Sequence, residues 1–156
     1  MKDKFKELQE DVVAEQKLIE KTVQCLSVIK SQLPLPFAED DLKTEPAIGT
    51  YLMNFYNGVE NIIKRICKVY YETFPLGKDW HKELLDLSYQ PPEGKFSVFS
   101  QEIVSRLYKY KNFRHRFVSG YGFQLKAEKM LELVDDVEIL WDAIQKDLDS
   151  FLEKLS

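Results

Sequence analysis

The first part of the chain has an apolar pattern of helical period. Between Lys4 and Gln32, hydrophobic residues recur at steps of three, four and seven, which places them on one stripe of an α-helix. The sequence LPLPF, Leu33–Phe37, predicts the end of this helix, because proline lacks a backbone donor and clashes with the preceding turn. The stripe comprises Phe5, Leu8, Val12, Ile19, Val23, Leu26 and Ile29.

Two further helices are predicted in the middle of the chain. The first begins near Thr44, a residue type that favours the N-cap, and runs to about Phe74, just before Pro75. The second is short, covers 78–89 and is predicted to be capped by Asp79. The stripe of the longer helix comprises Leu52, Phe55, Tyr56, Val59, Ile62, Ile63, Ile66 and Val69.

The last third of the chain predicts two helices separated by a bend. One begins near Ser100 and runs toward Val118, and the other runs from about Lys126 to Leu155. The sequence GYG at 120–122 predicts the bend between them, since glycine tolerates backbone angles that other residues avoid.

The predicted elements are helices throughout, and no stretch alternates well enough to require a sheet. Four long or medium helices with short connections indicate an all-α protein, an antiparallel bundle of four to five helices. The length of 156 residues is typical of one domain, so we expect a single domain over 1–156.

Composition narrows the classes of function. The formal net charge of -4 argues against indiscriminate nucleic-acid binding, so any site for phosphate must be local. No apolar run approaches the ~18 residues of a membrane span, and the charged N-terminus favours a cytoplasmic protein. Cys25 and Cys67 lie far apart in apolar stretches, so we expect buried, reduced thiols rather than a disulfide. We expect neither a metal nor a cofactor.

One segment differs from the rest of this acidic chain. From Ile103 to Ala127 there are six basic residues and no Asp or Glu, a segment that we call the basic strip. Arginine grips phosphate through two N–H groups, and the aromatic residues between the basic ones can stack on bases if they are exposed. A solvated helix face whose aromatics point to the core is the alternative. The basic residues are Arg106, Lys109, Lys111, Arg114, Arg116 and Lys126.

Within the basic strip, FRHRFVSGYGFQL resembles the motif region of HepT-type HEPN proteins, the toxins of bacterial and archaeal toxin–antitoxin pairs. That motif is Arg, four residues, His, one residue, Tyr. Arg114 and Tyr121 match its arginine and tyrosine, whereas Ser119 stands at the histidine position. YLMNFYNGVENIIKRI, Tyr51–Ile66, and DWHKELL, Asp79–Leu85, resemble further segments of a HepT-like subgroup. The resemblance covers roughly Thr44 to the C-terminus.

The resemblance implies a HEPN-like bundle that forms homodimers and cleaves RNA without metal at a shared basic cleft. It implies that Arg114 clamps the phosphate and that a nucleotidyltransferase antitoxin of the MNT type adds AMP to Tyr121. We expect Lys109, Lys111 and Arg116 to bind RNA phosphates around this cleft.

Ser119 poses the question of catalysis. A hydroxyl cannot replace an imidazole as general base without an activating neighbour, and losing a general base typically costs about 10²–10⁴ in rate. Ser119 can still bond a phosphate oxygen. His115, one helical turn before Ser119, and His81, on the short helix, are the candidate substitutes.

Alternatives stay open at this point. His115 and His81 also fit surface or structural roles. Arg114 could instead form a salt bridge at a dimer interface, and the ring of Tyr121 could instead pack to anchor the turn. The whole protein also fits two other functions. One is a catalytically inactive HEPN-like protein that binds RNA, a nucleotide or a nucleotidyltransferase, and the other is a helical module whose basic strip meets an acidic partner.

Overall fold

A computed structural model describes residues 3–32, 44–119 and 127–156. Within these ranges the protein is all-α, as the apolar pattern predicts, and contains no strand. A π-helical turn, Cys67–Tyr71, continues the second helix. The helices are α1 (Lys4–Gln32), α2 (Thr44–Ile66), α3 (Trp80–Tyr89), α4 (Gln101–Ser119) and α5 (Ala127–Leu155). LPLPF, the GYG bend and Lys126 lie outside the described residues.

Polar contacts between helices show that neighbours run antiparallel. Between α1 and α2, Lys4 contacts Glu72 just past the π-helical turn at 3.5 Å, and Glu15 accepts a hydrogen bond from Asn61 at 2.8 Å. The order along one helix is therefore reversed along the other. Similarly, the side chain of Gln9 near the start of α1 donates to the carbonyl of Leu152 near the end of α5.

The core forms where α2 lies among the other helices. Phe55 of α2 packs against Tyr110 of α4 and against Trp141 of α5, with ring centroids 5.3 and 6.2 Å apart. All three rings are buried. The indole N–H of Trp141 donates to Glu20 of α1 at 2.5 Å, so the largest core side chain also satisfies its polar atom.

The second helix ends earlier than predicted. We predicted its end near Phe74, but the π-helical turn stops at Tyr71 and Glu72 adopts a left-handed conformation, with φ 55°. The N–H of Glu72 bonds to the carbonyl of Cys67, which closes the helix before the chain reaches Pro75. A local hydrogen-bonding pattern of this kind has no signal in the apolar periodicity.

Two smaller expectations were wrong. Asp79 lies at the N-cap of α3, but its side chain makes no capping hydrogen bond. Cys25 is exposed on α1 rather than buried, because the face of α1 that carries it has no helix packed on it in the described part of the chain. Cys67 is buried as expected, and burial raises the pKa of its thiol to about 12.

The contact between α1 and α2 depends on Gly58. A Cβ atom at this position would lie 2.5 Å from Cγ1 of Ile19, which is buried and β-branched and therefore has little freedom to move. Such overpacking typically costs about 1–3 kcal/mol, and the higher helix propensity of alanine offsets up to about 1 kcal/mol of it.

We therefore expect Gly58→Ala to lower the free energy of unfolding by about 1–2 kcal/mol. Gly77→Ala is the matched control, because the nearest atom to a Cβ there is a Glu83 oxygen at 3.9 Å. Urea unfolding followed by circular dichroism measures both variants. Equal midpoints for Gly58→Ala and the wild type would show that α1 and α2 are not in close contact.

Candidate functional site

Three aromatic residues of the basic strip, Tyr110, Phe113 and Phe117, face the core. Tyr110 and Phe113 are buried, and Phe117 is half-buried and stacks on Phe113 with centroids 5.7 Å apart. The ring of Phe117 also lies against Gly49 of α2, where a Cβ would come within 2.5 Å of it. These three rings hold α4 in place, as in the alternative in which the aromatic residues of the strip point to the core.

Two basic residues of the strip are neutralised by α5. Arg106 pairs with Asp136, and Lys109 lies 3.6 Å from Glu132. Lys111 instead lies over the ring of Tyr108, 5.9 Å from its centroid. The strip contains no acidic residue, yet its charge is partly balanced across the α4–α5 interface.

Arg114 lies on the side of α4 that faces α2. Its Nε–H donates to the side-chain oxygen of Asn57 at 2.7 Å, and the residue is half-buried. Asn57 is neutral, and no described acidic group pairs with this guanidinium. The two terminal nitrogens have no partner in the described ranges. Arg114 is thus a cation of fixed orientation whose charge no described acidic residue balances.

The other two basic residues near the motif lie in a groove between α4 and α5. His115 and Arg116 are exposed and line a cavity of about 430 Å³. Lys129 of α5 lies opposite them, a residue that the sequence analysis missed because it follows the strip and only packing brings it close. The cavity is lined by Lys109, Asn112, Phe113, His115, Arg116, Lys129, Glu132 and Leu133.

The geometry of α4 separates the candidate catalytic residues. Successive residues of a helix differ by roughly 100° in direction, so His115 points away from Arg114 and into the groove. Ser119 is exposed at the last position of α4, roughly 140° around the helix from Arg114. Arg114 is therefore brought together with neither of them. Tyr121 lies outside the described residues.

A cluster of polar residues lies on α2, one turn from the contact between Asn57 and Arg114, and most of it was not predicted from the sequence. Glu60 is 3% exposed, and its carboxylate is 2.7 Å from Nδ1 of His81 on α3. Lys64 lies 3.6 Å from the other carboxylate oxygen. His81 stacks on Trp80 with centroids 3.6 Å apart, and the ammonium of Lys64 lies over the Trp80 ring. The signal in the sequence was an acidic residue inside the apolar stripe of α2.

Tyr56 links Arg114 to this cluster. Its side chain is fully buried, and no described group meets the geometry of a hydrogen bond to its hydroxyl. Burial raises the pKa of Tyr56 far above its usual value, and the nearby Glu60 carboxylate raises it further, whereas Arg114 lowers it. One hydroxyl therefore lies within electrostatic reach of both the carboxylate and the guanidinium. We call Tyr56, Asn57, Glu60, His81 and Arg114 the polar cluster.

No metal site was found in the part of the chain that the structure describes. No group of three or more His, Cys, Asp or Glu residues there is arranged to hold a metal ion. Among the described helices, none is both long and apolar enough to cross a membrane.

An all-α bundle in which one helix presents a positioned arginine and a basic groove is the arrangement expected of a HEPN-like fold. Comparison with protein families agrees, since the family described as HepT-like protein matches residues 47–155. The chain therefore belongs to the HepT-like family. Comparisons with curated proteins and with solved structures gave no significant match. That Ser119 occupies the position of the motif histidine stays a prediction.

Proposed function

We propose that this HepT-like protein is the toxin of a HEPN/MNT toxin–antitoxin pair and cleaves RNA without a metal ion. The observation that carries the proposal is the state of Arg114. Its guanidinium is fixed by a neutral amide on α2, and no described acid cancels its charge. Among the basic residues of α4 it combines partial burial, a fixed orientation and free terminal N–H groups, which suit a phosphate clamp.

Cleavage by the RNA 2′-hydroxyl explains why a clamp is needed. The 2′-oxygen attacks the adjacent phosphorus, the bond to the 5′-oxygen breaks, and a 2′,3′-cyclic phosphate and a 5′-hydroxyl result. Negative charge on the phosphoryl oxygens grows in the transition state, so a fixed cation next to them lowers the barrier. Arg114 supplies this cation in the proposed reaction.

The groove between α4 and α5 extends the phosphate-binding surface. Arg116, His115 and Lys129 make no described ion pair there, whereas Lys109 is partly balanced by Glu132. Lys111 lies toward α3, on the side of Tyr108. RNA that reaches Arg114 therefore has further cations on both sides of α4, and its binding should weaken as salt rises.

A second candidate function is a catalytically inactive protein that binds RNA, a nucleotide or a nucleotidyltransferase. One observation favours it. Neither Ser119 nor His115 shares a face of α4 with Arg114, so α4 by itself does not assemble a base and a clamp.

We expect Arg114→Ala to lower kcat for cleavage of a mixed RNA substrate in excess EDTA by about 10²–10³-fold, because one transition-state donor is lost. Arg114→Lys should recover part of the rate, since it keeps the charge but not the planar fork. Arg65→Ala is the control, because Arg65 lies on α2 and pairs with Asp11 of α1 at 3.2 Å.

Cleavage by Arg114→Ala at the wild-type rate would show that Arg114 is not a phosphate clamp. RNA binding without cleavage by the wild type would leave the inactive alternative. If the wild type neither binds nor cleaves RNA, the remaining function is a helical module that binds an acidic protein partner.

The family also supports a modification at Tyr121. We expect a cognate nucleotidyltransferase of the MNT type, with ATP, to add one AMP to the wild type and none to Tyr121→Phe. Intact-protein mass spectrometry measures this. The resemblance implies that the added phosphate and nucleoside bring negative charge and bulk to the RNA cleft, so RNA cleavage should fall in step with modification. An unchanged mass of the wild type would remove the modification from the proposal.

We also expect a homodimer, because the HepT resemblance implies two copies of the motif at one shared cleft. Light scattering at micromolar concentration should give twice the monomer mass of 18.4 kDa. A monomer at that concentration would contradict the shared cleft.

A further inference from the structure

We propose that His81, oriented by Glu60, is the general base that works with Arg114. The inference rests on the proposed RNA cleavage and concerns the residue that replaces the missing motif histidine. It moves the base from α4, where the motif places it, to α3.

Arg114 and His81 contact two positions of α2 that are three residues apart. Arg114 of α4 is held by Asn57, and His81 of α3 is held by Glu60. Residues three apart on a helix lie on one face, with Cβ atoms about 5–6 Å apart. The two side chains therefore dock on one small area of α2, and Tyr56 lies within electrostatic reach of both Glu60 and Arg114.

The contacts of His81 give its ring the orientation of a base. Nδ1 faces the carboxylate of Glu60 at 2.7 Å, so this nitrogen carries the proton and donates it to Glu60. In this neutral tautomer Nε2 carries no proton and can accept one. Stacking on Trp80 fixes the plane of the ring. The side chain of His81 is 28% exposed, so part of it is open to solvent.

The buried carboxylate is better explained by this role than by stability. Burying a charge costs free energy unless it is paired, and apolar side chains of similar volume often stabilise a core as well or better. Glu60 is nearly fully buried, yet its partners are the partly exposed His81 and Lys64. A carboxylate that fixes the tautomer and orientation of a histidine is the arrangement that proton transfer requires.

The proposed step is balanced within the RNA, His81 and water. Nε2 of His81 takes the proton from the 2′-hydroxyl while the 2′-oxygen bonds to phosphorus. The bond from phosphorus to the 5′-oxygen breaks, and that oxygen takes a proton from water. The imidazolium then returns its proton to water. Arg114 holds the phosphoryl oxygens, and Glu60 acts as a positioning residue that stabilises the imidazolium.

The test measures RNA cleavage in excess EDTA across pH for the wild type, His81→Gln, His81→Ala, Glu60→Gln and Arg114→Ala. Glu83→Gln is the matched control, an exposed carboxylate of the same helix as His81 and outside the polar cluster. The charged groups around His81 in the described structure are Glu60 and Lys64 of α2, with Arg114 of α4 across Tyr56. RNA binding and thermal melting are measured for every variant.

We expect His81→Gln to lower kcat by about 10²–10⁴-fold with RNA binding unchanged. The fall in rate toward acid pH, which a histidine base produces in the wild type, should vanish in this variant. Glu60→Gln should lose less rate and keep that fall, because His81 is still present. Added imidazole should restore cleavage to His81→Ala and not to Arg114→Ala.

Wild-type rates in His81→Gln, with Arg114→Ala inactive, would overturn the role of His81 and leave the proposed ribonuclease intact. A folded His81→Ala that imidazole does not rescue would also overturn it. A wild type that cuts no RNA at any pH would instead sink the proposed function, and the inference with it.

Discussion

The burial of α2 is the constraint on which the rest of the structure depends. This helix contacts α1, α3, α4 and α5, so almost every side chain on it has a neighbour. Gly58 lets α1 approach, and Gly49 lets the ring of Phe117 approach from α4. Most buried polar groups of a helix enclosed in this way need partners within the protein. Glu60 is therefore paired with His81 of α3, and Asn57 with Arg114 of α4.

The same packing explains why positive charge on α4 is not equivalent along its length. Arg106 and Lys109 meet acidic residues of α5, Asp136 and Glu132. Arg114 faces α2 and meets only the amide of Asn57. Charge without compensation is thus concentrated at Arg114 and in the nearby groove, although the basic residues are spread evenly along the sequence. Because helix neighbours point in different directions, the positive charge without a described acidic partner lies in two separate places, at Arg114 and in the groove between α4 and α5.

The extent of a helix was predicted correctly from the sequence where it depends on that helix alone. The limits of α1 were predicted because its apolar stripe spans the whole helix. The end of α2 was not, because the hydrogen bond from Glu72 to Cys67 depends on the turn that follows. Cys25 was expected to be buried but is exposed. An apolar neighbourhood in the sequence does not reveal which face of a helix remains uncovered.

By itself the sequence determined the all-α class and the span of the family resemblance, and its motif predicted a phosphate-clamp role for Arg114. These follow from local periodicity and from a motif contained in one short segment. Only the tertiary structure decided that Arg114 contacts Asn57 and that His81 contacts Glu60, one turn further along α2, whereas His115, adjacent to Arg114 in the chain, lines a different groove. The reason is physical. Neighbours on a helix point in different directions, whereas Asn57 and Glu60 on a third helix bring two distant side chains to one face.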